Sequence, residues 1–123
     1  MKILLVEDNA TVRKLIRQVL NEADASIVEC TDGADAAEAF ATQLPDLVLM
    51  DIRMPRMDGL TATRQLKKQF PEAKVLILTD YDEDDLRAAA KEAGACGYAQ
   101  KHNLLLLESI IKELKGCQGK VVE

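Results

Sequence analysis

The chain has 123 residues, of which 48% are hydrophobic, and it carries a formal net charge of −5. This length fits one domain with its own core, and the hydrophobic content excludes an intrinsically disordered chain. The acidic balance argues against direct binding of nucleic acid or anionic membranes, which requires clusters of Lys and Arg. Since no apolar run approaches the length of a membrane span, we expect a cytoplasmic protein without a membrane partner.

Strand-like and helix-like segments alternate along the chain. Strands are predicted over residues 3–6, 26–30, 47–50, 75–78 and 96–99 from short apolar runs. A helix with Asn9 as its N-cap follows the first strand, because apolar residues recur there at helical spacing. Further helices are predicted over residues 33–43, 59–70, 83–93 and 103–115. Five successive strand–helix units indicate an α/β fold with a parallel sheet and helices on both faces.

The composition of the strands predicts their order. The first, third and fourth strands are apolar throughout, as buried central strands are. The second strand carries Ser26 and Glu29, and the fifth is short and contains Gly97, which places both at the edges. The order 2-1-3-4-5 with right-handed crossovers meets these conditions. The prediction is a single doubly wound (βα)5 domain with the flavodoxin-like strand order.

Polar side chains follow four of the predicted strands. Glu7 and Asp8 follow the first strand, Asp51 the third, Thr79 the fourth and Lys101 the fifth. In doubly wound sheets, binding sites lie beyond the carboxyl ends of the strands, at the point where the strand order reverses. The sequence therefore predicts three carboxylates, a hydroxyl and an ammonium at one rim of the sheet.

This set of groups suits phosphoryl chemistry. Carboxylates at close range repel one another unless a proton or a cation intervenes. An all-oxygen ligand set suits Mg²⁺, which commonly binds through one or two carboxylates together with a phosphate. With that charge neutralised, Asp51 can attack phosphorus and form an aspartyl-phosphate, while Lys101 and Thr79 bind phosphoryl oxygens.

Four segments resemble the signature blocks of response-regulator receiver domains, the CheY-like family. They are residues 7–9 (EDN), 51–59 (DIRMPRMDG), 78–79 (LT) and 94–101 (GACGYAQK). The sequence looks closest to the NarL-like branch of two-component transcription factors, which often lacks a Pro after the lysine, where His102 stands here. The resemblance implies a receiver domain over residues 1–115, with residues 116–123 forming a linker or C-terminal tail.

The resemblance also implies roles for the residues of the rim. Asp51 would be the phosphoacceptor and a Mg²⁺ ligand. Asp8 would bind the ion directly, Glu7 mostly through water, and Arg53 through its backbone carbonyl. Lys101 would contact the phosphate.

A conformational switch is the second implication of the resemblance. Thr79 would move towards the phosphate on activation and Tyr98 would change rotamer with it, altering the face of the fourth helix, fifth strand and fifth helix. The implied phosphodonor is a sensor histidine kinase or a phosphotransfer protein. The face is a candidate homodimer contact. Two alternatives stay open: a free-standing domain, or the receiver half of a transcription factor whose DNA-binding output domain lies outside this sequence. Such a protein is a signalling phosphoacceptor and not an enzyme, although it can phosphorylate itself from small donors and dephosphorylate itself.

Three other functions compete with this interpretation. A haloacid-dehalogenase-like phosphatase would also use Asp51 with Mg²⁺, but it needs a second Asp where Arg53 stands. A flavodoxin-like cofactor binder needs a phosphate loop after the first strand, where Glu7 and Asp8 would repel phosphate. A degenerate receiver that acts only as an interaction module would lack the acceptor or the lysine, and both are present.

Overall fold

The computed structural model describes residues 1–22, 26–79 and 84–101, together with Leu107, Ser109 and Ile111. In chain order its elements are β1 (Lys2–Val6), α1 (Ala10–Glu22), β2 (Ser26–Cys30), a 3-10 turn (Gly33–Asp35), α2 (Ala36–Gln43), β3 (Leu47–Asp51), α3 (Gly59–Gln69), β4 (Val75–Thr79), α4 (Asp84–Glu92) and β5 (Gly97–Gln100). Leu107, Ser109 and Ile111 are helical. The rest of the helix predicted over 103–115, and the tail predicted over 116–123, lie outside the described residues. Within the described part of the chain, no helix has both the length and the apolarity that crossing a membrane requires.

The sheet has the predicted strand order. Its five strands run β2-β1-β3-β4-β5, and all four neighbouring pairs are parallel. Every residue of β3 and β4 is buried, whereas the edge strand β2 has no fully buried residue. Burial on both faces is what makes the central strands apolar throughout, so the composition of the strands was a sound guide to their positions.

Two aliphatic cores lie on the two faces of the sheet. Successive side chains of a strand point to opposite faces, so Ile3 and Leu5 enter one core and Leu4 and Val6 enter the other. The first core is closed by α1 and by Leu107 and Ile111, and the second by α2, α3 and α4. Leu107 and Ile111 are both 0% exposed and four residues apart, as one buried helix face requires.

Side-chain caps and strand register set several element boundaries. The helix predicted over 33–43 begins as a separate 3-10 turn, because the Asp32 carboxylate accepts the Ala34 N–H at 2.9 Å. The fifth strand starts one residue later than predicted, since its register with β4 pairs Thr79 with Gln100. The predicted cap of α1 is confirmed: the Asn9 Oδ1 atom accepts the N–H groups of residues 11 and 12.

Gly59 allows α3 to start directly against the end of β3. The Gly59 N–H donates to the Ile52 carbonyl at 2.7 Å. A Cβ atom at position 59 would lie 1.8 Å from the Asp51 carbonyl oxygen, which is an impossible contact with backbone. Asp58 caps the helix by accepting the Thr61 N–H at 2.9 Å. The backbone of Asp51 is thus held by a close approach that only glycine permits.

Replacing Gly59 with Ala should therefore destabilise the protein by about 1–3 kcal/mol or more, because β3 and α3 must separate to admit the methyl group. Urea unfolding followed by circular dichroism measures the loss. Gly97→Ala is the control, since its Cβ would meet only the flexible tip of Leu76, at 2.7 Å. Equal losses in the two variants would contradict the packing argument.

Candidate functional site

The carboxylates of Glu7, Asp8 and Asp51 meet beyond the carboxyl ends of β1 and β3. One oxygen of each lies within 4.8 Å of the other two. Because β1 and β3 are paired in parallel, up to Val6 opposite Met50, the residues that follow them emerge side by side. Glu7 and Asp51 are buried, at 0% and 3% exposure, whereas Asp8 is exposed.

Lys101 supplies the positive charge of the site. Its Nζ atom lies 2.6 Å from Glu7 Oε1 and 2.8 Å from Asp51 Oδ1. The Lys101 N–H donates to the Thr79 carbonyl at 2.8 Å, which continues the β4–β5 ladder one residue past the strand. The lysine is therefore anchored through its backbone while its side chain reaches across to the acids.

Burial and neighbouring charges shift the pKa values of two groups at the site. Burial raises the pKa of Glu7 to about 7; the contact with Lys101 opposes this shift and the charge of Asp51 adds to it. Burial alone would lower the pKa of Lys101, but its contacts with Asp51 and Glu7 raise it above the usual value. Glu7 Oε1 is buried, and the partner that it contacts is the Lys101 ammonium at 2.6 Å. Lys101 thus pairs with two of the three carboxyl groups of the cluster.

A cavity of about 220 Å³ opens onto these groups. Its lining consists of Glu7, Asp8, Asn9, Val12, Asp51, Ile52, Arg53, Thr79 and Lys101. The structure therefore brings together every residue predicted to lie on the rim, while their chemical roles stay predictions. The cluster fits a hard divalent cation such as Mg²⁺, because its donors are all oxygen and belong to three carboxyl groups within reach of one ion.

Tyr98 lies apart from the cavity, in β5. It is half-buried, and the guanidinium carbon of Arg87 in α4 lies 4.9 Å from the centre of its ring. That distance is within the range of a cation–π contact. The residue predicted to act as a switch thus bridges α4 and β5 on the face where signalling was expected.

Asp32 belongs to the surroundings of the site, and sequence reasoning missed it. Its carboxylate is 3% exposed. Besides capping Ala34, Oδ1 accepts the Met57 N–H at 3.1 Å and Oδ2 accepts the Arg56 N–H at 2.9 Å. Burial alone would raise the pKa of Asp32, but these three backbone donors lower it below the usual value. An Asp-Gly pair after a strand signals a turn, and nothing local indicates contacts 25 residues further along the chain.

The fold and the acidic cavity together define a class: a doubly wound α/β protein whose site lies at the switch point of the sheet, beyond β1 and β3. The family model of the response regulator receiver domain matches residues 3–112. The chain belongs to that family of signalling proteins, as the signature blocks predicted.

Individual relatives agree with this assignment. The chain is 37% identical to the response regulator MprA of Mycobacterium avium over 101 residues, which is 82% of the chain and 44% of the relative. It is 35% identical to the DNA-binding transcriptional regulator NtrC of Escherichia coli over 97 residues, or 79% of the chain and 21% of that relative. The chain thus spans less than half the length of these relatives.

A solved structure also matches the fold closely. A LuxR-family two-component response regulator from Aurantimonas sp. superposes with a TM-score of 0.86 at 30% identity, covering 98% of this chain and 89% of that one. This neighbour is in line with the predicted likeness to the NarL-like branch of transcription factors.

Removing the Lys101 ammonium should destabilise the folded protein, because the buried carboxylates of Glu7 and Asp51 lose the cation that they contact. In Lys101→Met, Glu7 and Asp51 face each other without a cation, and the free energy of unfolding should fall by about 3 kcal/mol. Urea unfolding at neutral pH in the presence of a chelator measures this. Lys14→Met, at an exposed position of α1, is the control and should change stability by less than about 0.5 kcal/mol. A Lys101 variant as stable as this control would refute the charge argument.

The lowered pKa of Asp32 predicts a pH-dependent contribution to stability. The unfolded chain binds this proton more tightly than the folded one, since an unperturbed Asp has a pKa of about 3.9. The contribution is therefore complete above that pH and is lost as the pH falls through the folded-state pKa. At pH 6, Asp32→Ser should unfold about 1–3 kcal/mol more easily than the native sequence. This difference should shrink towards pH 2; a constant difference would contradict an ionised Asp32.

Proposed function

We propose that Asp51 accepts a phosphoryl group from the phosphohistidine of a sensor histidine kinase or phosphotransfer protein, and that Mg²⁺ is bound by the neighbouring acids. The observation that carries the proposal is the convergence of Glu7, Asp8 and Asp51 on a cavity also lined by Lys101 and Thr79. Bound Mg²⁺ would neutralise phosphoryl oxygens that the acidic cluster otherwise repels. Asp8, Asp51 and the Arg53 carbonyl are its proposed ligands, with Glu7 contributing mostly through water.

The residues of the chain have separable tasks in this transfer. A carboxylate oxygen of Asp51 forms the new bond to phosphorus while the phosphorus–nitrogen bond of the donor breaks, and the imidazole nitrogen keeps the electron pair. Lys101 pairs with a phosphoryl oxygen as a point charge, and the Thr79 hydroxyl donates to another. Because the reaction relies on positioning and charge stabilisation, rigid strand ends are well suited to carry it.

The phosphatase alternative is disfavoured by a single position. A general acid that protonates the leaving group is needed two residues after the nucleophile, and Arg53 cannot donate and accept protons at neutral pH. Arg53 lines the cavity beside Asp51, so the position that a phosphatase of this class needs for its acid is filled by a guanidinium. Aspartyl-phosphate formation without efficient turnover is what this set of residues supports.

The output proposed for the phosphorylated state is control of transcription. The E. coli relative NtrC is a DNA-binding transcriptional regulator. Both MprA and NtrC extend well beyond the region that matches this chain. We infer that phosphorylation alters the surface around Arg87 and Tyr98, in α4 and β5, and that this surface contacts an output domain or a second copy of the chain. The half-buried ring of Tyr98 under a guanidinium gives this surface an element able to rearrange.

Incubation with Mg²⁺ and acetyl phosphate should add one phosphoryl group per chain, detected by intact-mass spectrometry. Asp51→Asn should abolish the adduct, because an amide is not a nucleophile towards phosphorus at neutral pH. Asp46→Asn is the matched control, since this exposed carboxylate lies just before β3, at the opposite end of the sheet. Continuous hydrolysis of phosphate esters by the native chain would favour the phosphatase, and an adduct that persists in Asp51→Asn would refute the assignment of the acceptor.

A further inference from the structure

The acceptor loop, residues 52–58, connects Asp51 at the end of β3 with the start of α3. Its two ends are held locally. The Ile52 N–H donates to Asp51 Oδ1 at 2.8 Å, and the Gly59 N–H donates to the Ile52 carbonyl at 2.7 Å. Between them, the loop carries Arg53, whose carbonyl is a proposed metal ligand. The position of that carbonyl therefore depends on what holds the middle of the loop.

Asp32 holds the middle of the acceptor loop from a different part of the chain. Its two carboxylate oxygens accept the consecutive N–H groups of Arg56 and Met57, at 2.9 and 3.1 Å. Hydrogen bonds to an ionised acceptor are about twice as strong as neutral ones, and burial protects these from competition with water. At the adjacent Gly33, a Cβ atom would lie 2.7 Å from the Met57 carbonyl oxygen, so the loop rests directly on the β2 end of the sheet.

Asp32 is itself firmly placed. It follows β2, which is paired with β1 along its whole length, from Ser26 opposite Lys2 to Cys30 opposite Val6. Its Oδ1 atom also caps Ala34 at 2.9 Å, which restrains the rotamer of the carboxylate. Through Asp32 and β2, the acceptor loop is thus positioned relative to β1, the strand that Glu7 and Asp8 follow.

We propose that Asp32 is a positioning residue for the phosphoacceptor site: it aligns the acceptor loop so that the Arg53 carbonyl and the acids of β1 and β3 bind one divalent cation. The inference rests on the proposed function, since it assigns the loop a task in metal binding. Groups that orient metal ligands without touching the metal typically alter its affinity by about 10–100-fold when removed. Asp32 would act in this way, through two backbone amides.

Two substitutions separate this role from the capping of the 3-10 turn. Asp32→Asn keeps one oxygen for Ala34 and Met57 but loses the acceptor for Arg56. Asp32→Ser keeps an oxygen able to cap the turn, but its shorter side chain reaches neither loop amide. Mg²⁺ affinity, measured by isothermal titration calorimetry, should fall by about threefold in Asp32→Asn and by about tenfold or more in Asp32→Ser. Amide hydrogen exchange by NMR, without metal, should accelerate at Arg56 in the first variant and at Arg56 and Met57 in the second.

Asp35→Asn is the matched control. This substitution removes a charge from the same corner of the molecule, where the Asp35 carboxylate pairs with the exposed Arg56 guanidinium at 2.6 Å and caps no backbone N–H of the acceptor loop in the described residues. Its variant should bind Mg²⁺ within about twofold of the native chain, since exposed ion pairs contribute little. A similar loss in Asp35→Asn and Asp32→Asn would show that charge alone is responsible, and would overturn the proposal.

The remaining outcomes are equally decisive. Asp32 variants that are less stable yet bind Mg²⁺ like the native chain would reduce Asp32 to a structural anchor. If the native chain binds no Mg²⁺ and gains no phosphoryl group, the proposed function itself fails, and the metal-free exchange data still show whether Asp32 restrains the loop. Should Asp32→Ser fail to fold, Asp32→Asn carries the test, because it keeps the cap.

Discussion

Two buried carboxylates sharing one ammonium form the interaction on which this site depends. Removing an ion from water costs several kcal/mol, and only close, well-oriented opposite charges offset that cost. Lys101 meets Glu7 and Asp51 at short range, yet it cannot neutralise both acids and Asp8 as well. Burial raises the pKa of Glu7 to about 7, and the nearby charge of Asp51 adds to the shift. The folded protein therefore gathers three carboxyl groups in a defined cavity that Lys101 and Arg53 also line, which is the property of a binding site and not of a single stabilising ion pair.

The sheet holds the charged groups of the cavity in place. Its central strands are buried on both faces between two aliphatic cores, so the strand ends are fixed by packing that does not involve the charged groups. In a parallel sheet of this order, β1, β3 and β4 end at one edge beside one another, and each delivers a side chain to the cavity. The cores supply apolar burial that does not depend on the rim, and the rim supplies the reactive groups.

The sequence predicted most of the fold, and for an identifiable reason. Apolar composition depends on burial, so the all-apolar runs marked the central strands and the polar Glu29 marked an edge strand. The residues of the rim could be predicted equally well, because they directly follow strands that the sequence itself marks. What could not be read were contacts between distant loops. Asp32 looked like part of a turn, and nothing local showed that Gly59 lies against the carbonyl of Asp51 or that Asp32 reaches Met57.

These missed contacts bear on how a transfer at Asp51 would become a signal. Under the proposed function, Arg53 stands where a general base could activate water to attack the phosphoryl group, and an arginine does not supply that base. The phosphorylated state would then last long enough to have a structure of its own. A phosphate on Asp51 would change the negative charge that the Lys101 ammonium contacts. The backbone N–H of Lys101 donates to the carbonyl of Thr79. Thr79 is two residues from Ile77, which pairs with Tyr98 in β5. On the other side, Asp32 and Gly59 hold the acceptor loop against β2 and β3. The acceptor side is held by these tethers, and under the proposed function a signal from Asp51 to Tyr98 would travel through β4 and β5.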